Sequence, residues 1–407
     1  MSSFARLTLS TEVEPVLAGL IGDPKMIEHL RAQGLKAGLI GRDFSGLETL
    51  TDGRDFVAVV HRSGERTALW DWGVPELRRR GAKVVISANV FGFADLGPTA
   101  SELDLVVCNS KHTLWRHWTA SGRPDIESYL DGHRVIYNPV VDEPPINETQ
   151  RLRLDLRSKL GIPSEAIVFC DVCRPAPEKL DWMAAEVMPR ASLDRLDLYF
   201  ITRAYPEPVA RYLKSKMGDR YHNLALDHDR AGVVSTMAAS DAMLHLSSMG
   251  ESFGMAVGEA MRCSLPVVVN ATPGPKQDNA QTELVIDGVT GLIIYRPHEA
   301  VEAVLRIAGD ATLRRSMGAA GRDRFRDGAL NPTVIAREFN EEILARYAGT
   351  PPPIQREPSR TECADYLRTY DPDRFKAGRG GRRMPFWSAG VELRRLHWRL
   401  VRRRSGR

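Results

Sequence analysis

Two glutamates eight residues apart, Glu251 and Glu259, bracket the segment Glu251-Ser252-Phe253-Gly254-Met255-Ala256-Val257-Gly258-Glu259. An apolar, strand-like run ending at Leu246 precedes it, and a helical pattern through Val257, Ala260 and Met261 follows, closed by Ser264-Leu265-Pro266. A strand that feeds a helix turns the free N–H groups and the positive dipole end of that helix toward whatever lies above the sheet, an arrangement suited to a phosphate. Gly254 and Gly258 remove side chains where a ligand or the sheet comes close. Read as helix, eight residues advance roughly 12 Å, comparable with the separation of the two sugars in a nucleotide-sugar. One carboxylate then takes hydroxyls of the transferred sugar and the other the ribose diol, and neither need act as a base. Taken alone, the pair also reads as an ordinary loop acid and an exposed helix acid.

A second element lies about eighty residues upstream. The apolar stretch Ala166-Ile167-Val168-Phe169-Cys170 reads as a buried strand and runs into Asp171-Val172-Cys173-Arg174-Pro175-Ala176-Pro177-Glu178-Lys179. Arg174 and Lys179 leave the same strand end through a proline-stiffened turn. Two cations there neutralise a pyrophosphate and stabilise the charge that develops as a nucleoside diphosphate departs. The alternative is a solvated loop with Lys179 paired to a nearby acid. Cys170 and Cys173 have the C-x-x-C spacing of zinc and redox sites, but the sequence offers no second ligand pair, so burial at a strand end is the better account. The five cysteines are odd in number and scattered, which argues for reduced thiols.

With the turn Asp287-Gly288-Val289-Thr290-Gly291, these two elements resemble the retaining glycosyltransferases of family 4, glycosyl transferases group 1. Three landmarks stand in the family's order: Arg-x4-Lys, Glu-Ser-Phe-Gly-x4-Glu and Asp-Gly-x-Thr-Gly. The resemblance is strong from Ile167 to Ala345 and weaker from Asp55 to Val141, where Asp104–Ser110 and Val135–Val140 look like the strands that end the acceptor domain. It implies the GT-B architecture: an α/β protein of two Rossmann-like domains facing a central cleft. It also implies transfer of a hexose-like unit from a nucleotide-sugar donor to a saccharide or lipid-linked acceptor with retention, by front-face attack and without a protein nucleophile. Arg174, Lys179 and Glu251 would carry the catalytic contacts, Arg174 and Lys179 at the donor diphosphate and Glu251 at the sugar. Ser252, Phe253, Gly254 and Met255 would offer amides to the sugar and phosphate, and Glu259 would hold the ribose.

The sequence departs from the family in three places. No Gly-Gly loop follows Leu7-Thr8-Leu9-Ser10. Asn89 stands where a histidine near the donor sugar is usual, and an asparagine can hold a hydroxyl but cannot relay a proton; His61, after Asp55–Val60, is the nearest substitute. The segment Thr272–Glu283 is longer and more polar than the family's turn, with Lys276 and Gln277 placed to face the donor sugar. Asn89 keeps two other classes in play, a noncatalytic nucleotide-sugar-binding module and a sugar-nucleotide hydrolase or epimerase. Asp227-His228-Asp229 has a D-x-D spacing that binds metal in another glycosyltransferase architecture, but it reads here as a solvated loop. No metal and no other cofactor is expected.

At 407 residues the chain is too long for one ordinary core. The organisation expected is an acceptor-binding domain over 1–142, a polar linker over 143–150, a nucleotide-sugar-binding domain over 151–348 and an extension over 349–407. Strands are expected over 56–60, 83–86, 105–108 and 135–137 in the first domain. In the second they fall near 166–170, 198–202, 242–246, 266–269 and 291–294. Neither a signal peptide nor a membrane-spanning apolar run is visible, so a cytoplasmic protein is expected. From Arg374 to Arg407 there are twelve Lys or Arg and one acid, Glu392, a balance of +11 that leaves −7 on the rest of a chain of net charge +4. On a helical wheel Phe386, Leu393, Leu396, Leu400 and Val401 fall opposite Arg395, Arg399, Arg402 and Arg403, the pattern of a helix lying on an anionic membrane surface. A solvated tail, or a helix docked on the first domain, is the alternative. No nucleic-acid-reading motif accompanies the charge run, so nucleic acid is not the expected partner.

Overall fold

A computed structural model describes residues 14–19, 24–32, 34–41, 43–62, 68–89, 102–141, 146–172, 179–225, 231–272, 277–351 and 358–372. The chain divides into two compact units, one formed by 1–141 with 327–370 and the other by 142–326 with 371–407. Among the described residues no helix is long and apolar enough to cross a membrane.

The first unit has a two-stranded parallel sheet, β1 (Val16–Gly19) beside β2 (Lys36–Leu39), and a four-stranded parallel sheet. The latter runs β3 (Phe56–Arg62), β4 (Ala82–Asn89), β5 (Leu105–Cys108), β6 (His133–Val135) in that order. Its buried faces pair β-branched residues such as Val85, Ile86, Val106 and Val107, as a sheet covered on both sides requires. The sequence reading placed the last strand two residues late and missed β1 and β2, whose four-residue runs are too short to show an alternation.

The second unit is a six-stranded, all-parallel sheet. Its strands are β7 (Ile167–Val172), β8 (Leu198–Arg203), β9 (Tyr221–Leu224), β10 (Ala242–His245), β11 (Val267–Asn270) and β12 (Gly291–Ile294). Their spatial order is β12-β11-β10-β7-β8-β9. The first strand of the unit therefore lies at the centre, the chain builds outward to β9, then returns to build the other half from β10. All six residues of β7 are buried, which explains its continuous apolar reading, and the one acid among them, Asp171, needs partners.

The expected boundaries shift at two places. The helix Ile146–Lys159 begins inside the stretch assigned to a linker, and it is anchored to the sheet by Arg153 and Arg157, which donate to the two Asp241 oxygens at 2.7 Å each. Where the sequence reading carried the second domain to 348, that unit closes at Arg326. The helices Pro332–Ala348 and Arg360–Thr369 belong to the first unit. Burial holds the first of them there: Glu342 sits against Arg134 of β6 and Arg346, and Arg346 also reaches the Asp104 carbonyl at 3.1 Å.

Candidate active site

In a doubly wound sheet a ligand crevice opens outside the carboxyl ends of the strands, where the strand order reverses. In the second unit that point lies between β7 and β10. The chain delivers its charged side chains to this point. Asp171 is the fifth residue of β7 and His245 the last of β10, 74 residues apart in sequence, yet His245 Nδ1 lies 2.8 Å from Asp171 Oδ1. The other ring nitrogen, Nε2, lies 3.0 Å from Glu251 Oε1. Lys179 Nζ donates to the second oxygen of Glu251 at 2.8 Å and lies 3.4 Å from the Gly250 carbonyl. At the far end Tyr205 donates its hydroxyl to Asp171 Oδ2 at 2.6 Å. The result is one connected line, Tyr205–Asp171–His245–Glu251–Lys179, that becomes more exposed from Asp171 and His245 (2% and 3%) to Glu251 and Lys179 (13% and 12%).

Its electrostatics follow from that burial. Desolvation works against a charge on His245, but Asp171, by charge and hydrogen bond, and then Glu251 outweigh it and raise the imidazole to about 10. Desolvation likewise works against ionised Glu251, but His245 first and Lys179 second outweigh it and draw the carboxyl down to about 2. Glu251, the acid at the opening, is thus held ionised across the neutral range.

The loop that carries Glu251 is fixed from two sides. Asn270 at the end of β11 accepts from the Ser247 amide at 2.8 Å and donates to the Ser247 carbonyl at 2.9 Å. Met249 and Glu251 accept through their carbonyls from the Asp278 and Ala280 amides at 2.8 Å each, and the Glu251 amide donates to the Gln281 side chain at 2.9 Å. Gly250, at φ +73°, lets the two strips touch; a Cβ there would stand 1.7 Å from the Asp278 carbonyl oxygen. The helix that follows, Met255–Arg262, starts from Gly254 at φ +101° with no side-chain cap. A helix's first N–H groups have no partner within it, so this end retains the anion-binding character of an uncapped N-terminus.

The sequence candidates sort accordingly. Lys179 and Glu251 come together, Lys179 paired to an acid as its alternative reading had it, and that acid is Glu251 itself. The eight-residue spacing to Glu259 is not a helical advance, because Glu251 lies in the loop and the helix begins only at Met255. Glu259 is in the second helical turn and buried, not exposed, and the Phe253 ring is in the core, leaving only its backbone for a ligand. Gln277 donates to the Ser248 carbonyl at 2.5 Å, a latch on the glutamate loop in place of the donor-facing role expected for it. His61 is the next-to-last residue of β3 and Asn89 the last of the adjacent β4, both in the other unit. Arg174, Lys276 and the Asp227–Asp229 pair lie outside the described residues. Sequence reasoning missed Asp171, His245 and Tyr205. The available signal was an acid and a histidine in otherwise apolar strand runs. The four described cysteines, Cys108, Cys170, Cys263 and Cys363, form no disulfide, and burial raises the Cys170 thiol to about 12.

Residues 222–324 match the family described as glycosyl transferases group 1. The chain is 34% identical over 116 residues to a trehalose synthase of Pyrococcus horikoshii, covering 27% of this chain and 26% of that protein. It is 30% identical over 178 residues to a D-inositol 3-phosphate glycosyltransferase of Kribbella flavida, covering 40% of each. The chain thus spans less than half the length of these curated relatives. Among solved structures it matches Anabaena HepE in complex with UDP and glucose at a TM-score of 0.64 and 16% identity, over 81% of this chain and 91% of that one. HepE has also been solved with UDP-glucose, at a TM-score of 0.59 and 17% identity, over 80% of this chain and 91% of that one. At such identity the likeness is one of fold.

Proposed function

Because this chain belongs, through residues 222–324, to the glycosyl transferases group 1 family and has the GT-B fold, we propose that it transfers a sugar from a nucleotide-sugar donor to a saccharide or lipid-linked acceptor, with retention at the anomeric carbon and without a metal ion. The observation that carries this reading is the Lys179–Glu251 pair at the strand-order reversal, next to an uncapped helix N-terminus. In the proposed step the bond from the anomeric carbon to the diphosphate oxygen breaks and its electron pair leaves with the diphosphate. Lys179, Arg174 and the amides from Gly254 onward stabilise that charge where it grows. The acceptor hydroxyl attacks on the face the diphosphate leaves and gives its proton to a diphosphate oxygen. Glu251 and Glu259 bind hydroxyls, of the sugar and the ribose respectively, and take no proton. With cations and helix amides supplying the positive charge, a divalent ion has no required task. We assign the basic stretch 374–407, outside the described residues, to contact with an anionic membrane surface.

A panel of nucleotide-sugars, beginning with the UDP-glucose found in HepE, tests the reading. Nucleoside diphosphate release should rise several-fold when the right acceptor is present, persist in EDTA and give a product whose anomeric configuration, read by NMR, equals that of the donor. Release that ignores every acceptor would identify a hydrolase. Binding without release would identify a carrier of the donor.

A further inference from the structure

We propose that His245 is a positioning residue of the donor site: its imidazole, bonded through both ring nitrogens, holds Glu251 as a carboxylate in one orientation, and Glu251 in turn holds Lys179. This deepens the transferase reading and rests on it for the identity of the ligand, but not for the state of the ring.

The geometry argues the case from both flanks. An imidazole with acceptors on its two nitrogens satisfies both only if each nitrogen carries a proton, which is the imidazolium, or if one of the acids carries the proton instead. The second oxygens of those acids decide between these. Asp171 already accepts from the Tyr205 hydroxyl, and Glu251 already accepts from the Lys179 ammonium. A donor on the second oxygen stabilises a carboxylate more than a carboxyl group, so the bonds on both flanks favour leaving the proton on the ring. The charged groups facing His245 are then Asp171 from β7 and Glu251 from its own loop, with Lys179 beyond Glu251. Two anions and two cations balance. With a neutral ring the same set carries a net negative charge beside a diphosphate, and Glu251 loses the partner that keeps it ionised despite burial.

Position adds a second argument. His245 ends β10 and belongs to the rigid sheet, whereas Glu251 stands six residues on in a loop. A side chain on a loop is precise only when something on a rigid element locks its rotamer. His245 is the sheet's hold on that carboxylate, and because it is buried it touches no ligand itself.

The test uses the full-length protein labelled with nitrogen-15 at histidine, together with the variant His245→Gln, which keeps a donor toward Glu251 and removes the charge. In the unliganded protein at about pH 8, well above the ordinary histidine range, both ring nitrogens of His245 should carry protons. A neutral tautomer there overturns the inference. In transfer assays, the acid limb of the kcat/KM profile for donor should move up by at least about one pH unit in His245→Gln, because Glu251 has lost its imidazolium. Superimposable profiles also overturn it, since a merely structural histidine would change amplitude without moving the limb. If His245→Gln does not fold, the ring spectrum of the native protein decides. If the native protein transfers no sugar, the proposed function fails while that same spectrum still decides the state of His245.

Discussion

Glu251 accepts from two positively charged side chains at once, and this fixes what its removal should do. Lys179→Ala takes away the cation proposed to face the departing diphosphate, and Glu251→Ala takes away both the proposed sugar contact and the acid that pairs with Lys179. Each should lower transfer by a factor of roughly ten to a thousand, the range for one lost transition-state contact, while circular dichroism stays that of a folded chain. Turnover near the native value in both variants would remove the site from this place. The same pair also writes a pH signature into stability. Glu251, lowered to about 2 from an ordinary 4.5, contributes stabilisation that is complete above about 4.5 and disappears as pH falls toward 2. His245, raised to about 10 from an ordinary 6.5, contributes stabilisation that is complete below about 6.5 and disappears as pH rises through 10. Calorimetry should therefore find this contribution to the unfolding temperature fully present between about 4.5 and 6.5 and declining on the alkaline side, with the decline flattened in His245→Gln. An unfolding temperature in His245→Gln that falls as steeply with alkali as the native one would contradict the assignment.

At the scale of the element, the decisive object is the loop Ser247–Glu251 with the strip 277–281 pressed against it. Lys179 and Glu251 were legible because they belong to short motifs whose residue types announce chemistry within a single turn of chain. Asp171 and His245 were not, since each lies in a run that reads correctly as buried strand, and their meeting depends on β7 and β10 being neighbours, a fact of sheet order and not of local pattern. The strip after Thr272 misled in the opposite sense: its polar residues suggested ligand contacts, whereas Gln277 and Gln281 bond the glutamate loop. Its polarity is the price of bonding irregular backbone that has no sheet partner. Gly250 is where this docking is tightest. Gly250→Ala places a methyl group inside the radius of the Asp278 carbonyl and a side chain on a left-handed backbone, so it should cost about 1–3 kcal/mol by overpacking and strain. Denaturant unfolding would measure that loss, and donor turnover should fall with it because Glu251 is carried on the displaced loop. An alanine variant as stable as the native chain would mean that the strip at 278 yields freely and does not fix the carboxylate.

For the molecule as a whole, charge is distributed as unevenly as function. The second unit holds the line from Tyr205 to Lys179, the first takes back the helices of 332–348 and 360–369, and the basic excess of the sequence falls in 374–407, outside the described residues. Two α/β units could be read from alternating strand and helix patterns, but the return of 327–370 to the first unit could not, because helix packing partners are set by tertiary burial such as that of Glu342 between Arg134 and Arg346. The proposed contact of 374–407 with a membrane follows from net charge. A surface of anionic lipid attracts each nearby Lys or Arg by about 1 kcal/mol, and twelve of them against one acid provide ample attraction even when only some reach the surface. Such attraction is screened within about 10 Å at 0.1 M salt. The full chain should therefore sediment with phosphatidylglycerol vesicles at low salt and release as salt is raised, while a chain ending at residue 373 should stay in the supernatant with both. Phosphatidylcholine vesicles should bind neither, unless the apolar residues Phe386, Leu393, Leu396 and Leu400 suffice without charge. Turnover of a soluble acceptor should be alike in the two chains, since the residues proposed for the donor site in the second unit precede residue 327. Equal sedimentation of the shortened chain would move the membrane contact out of 374–407 altogether.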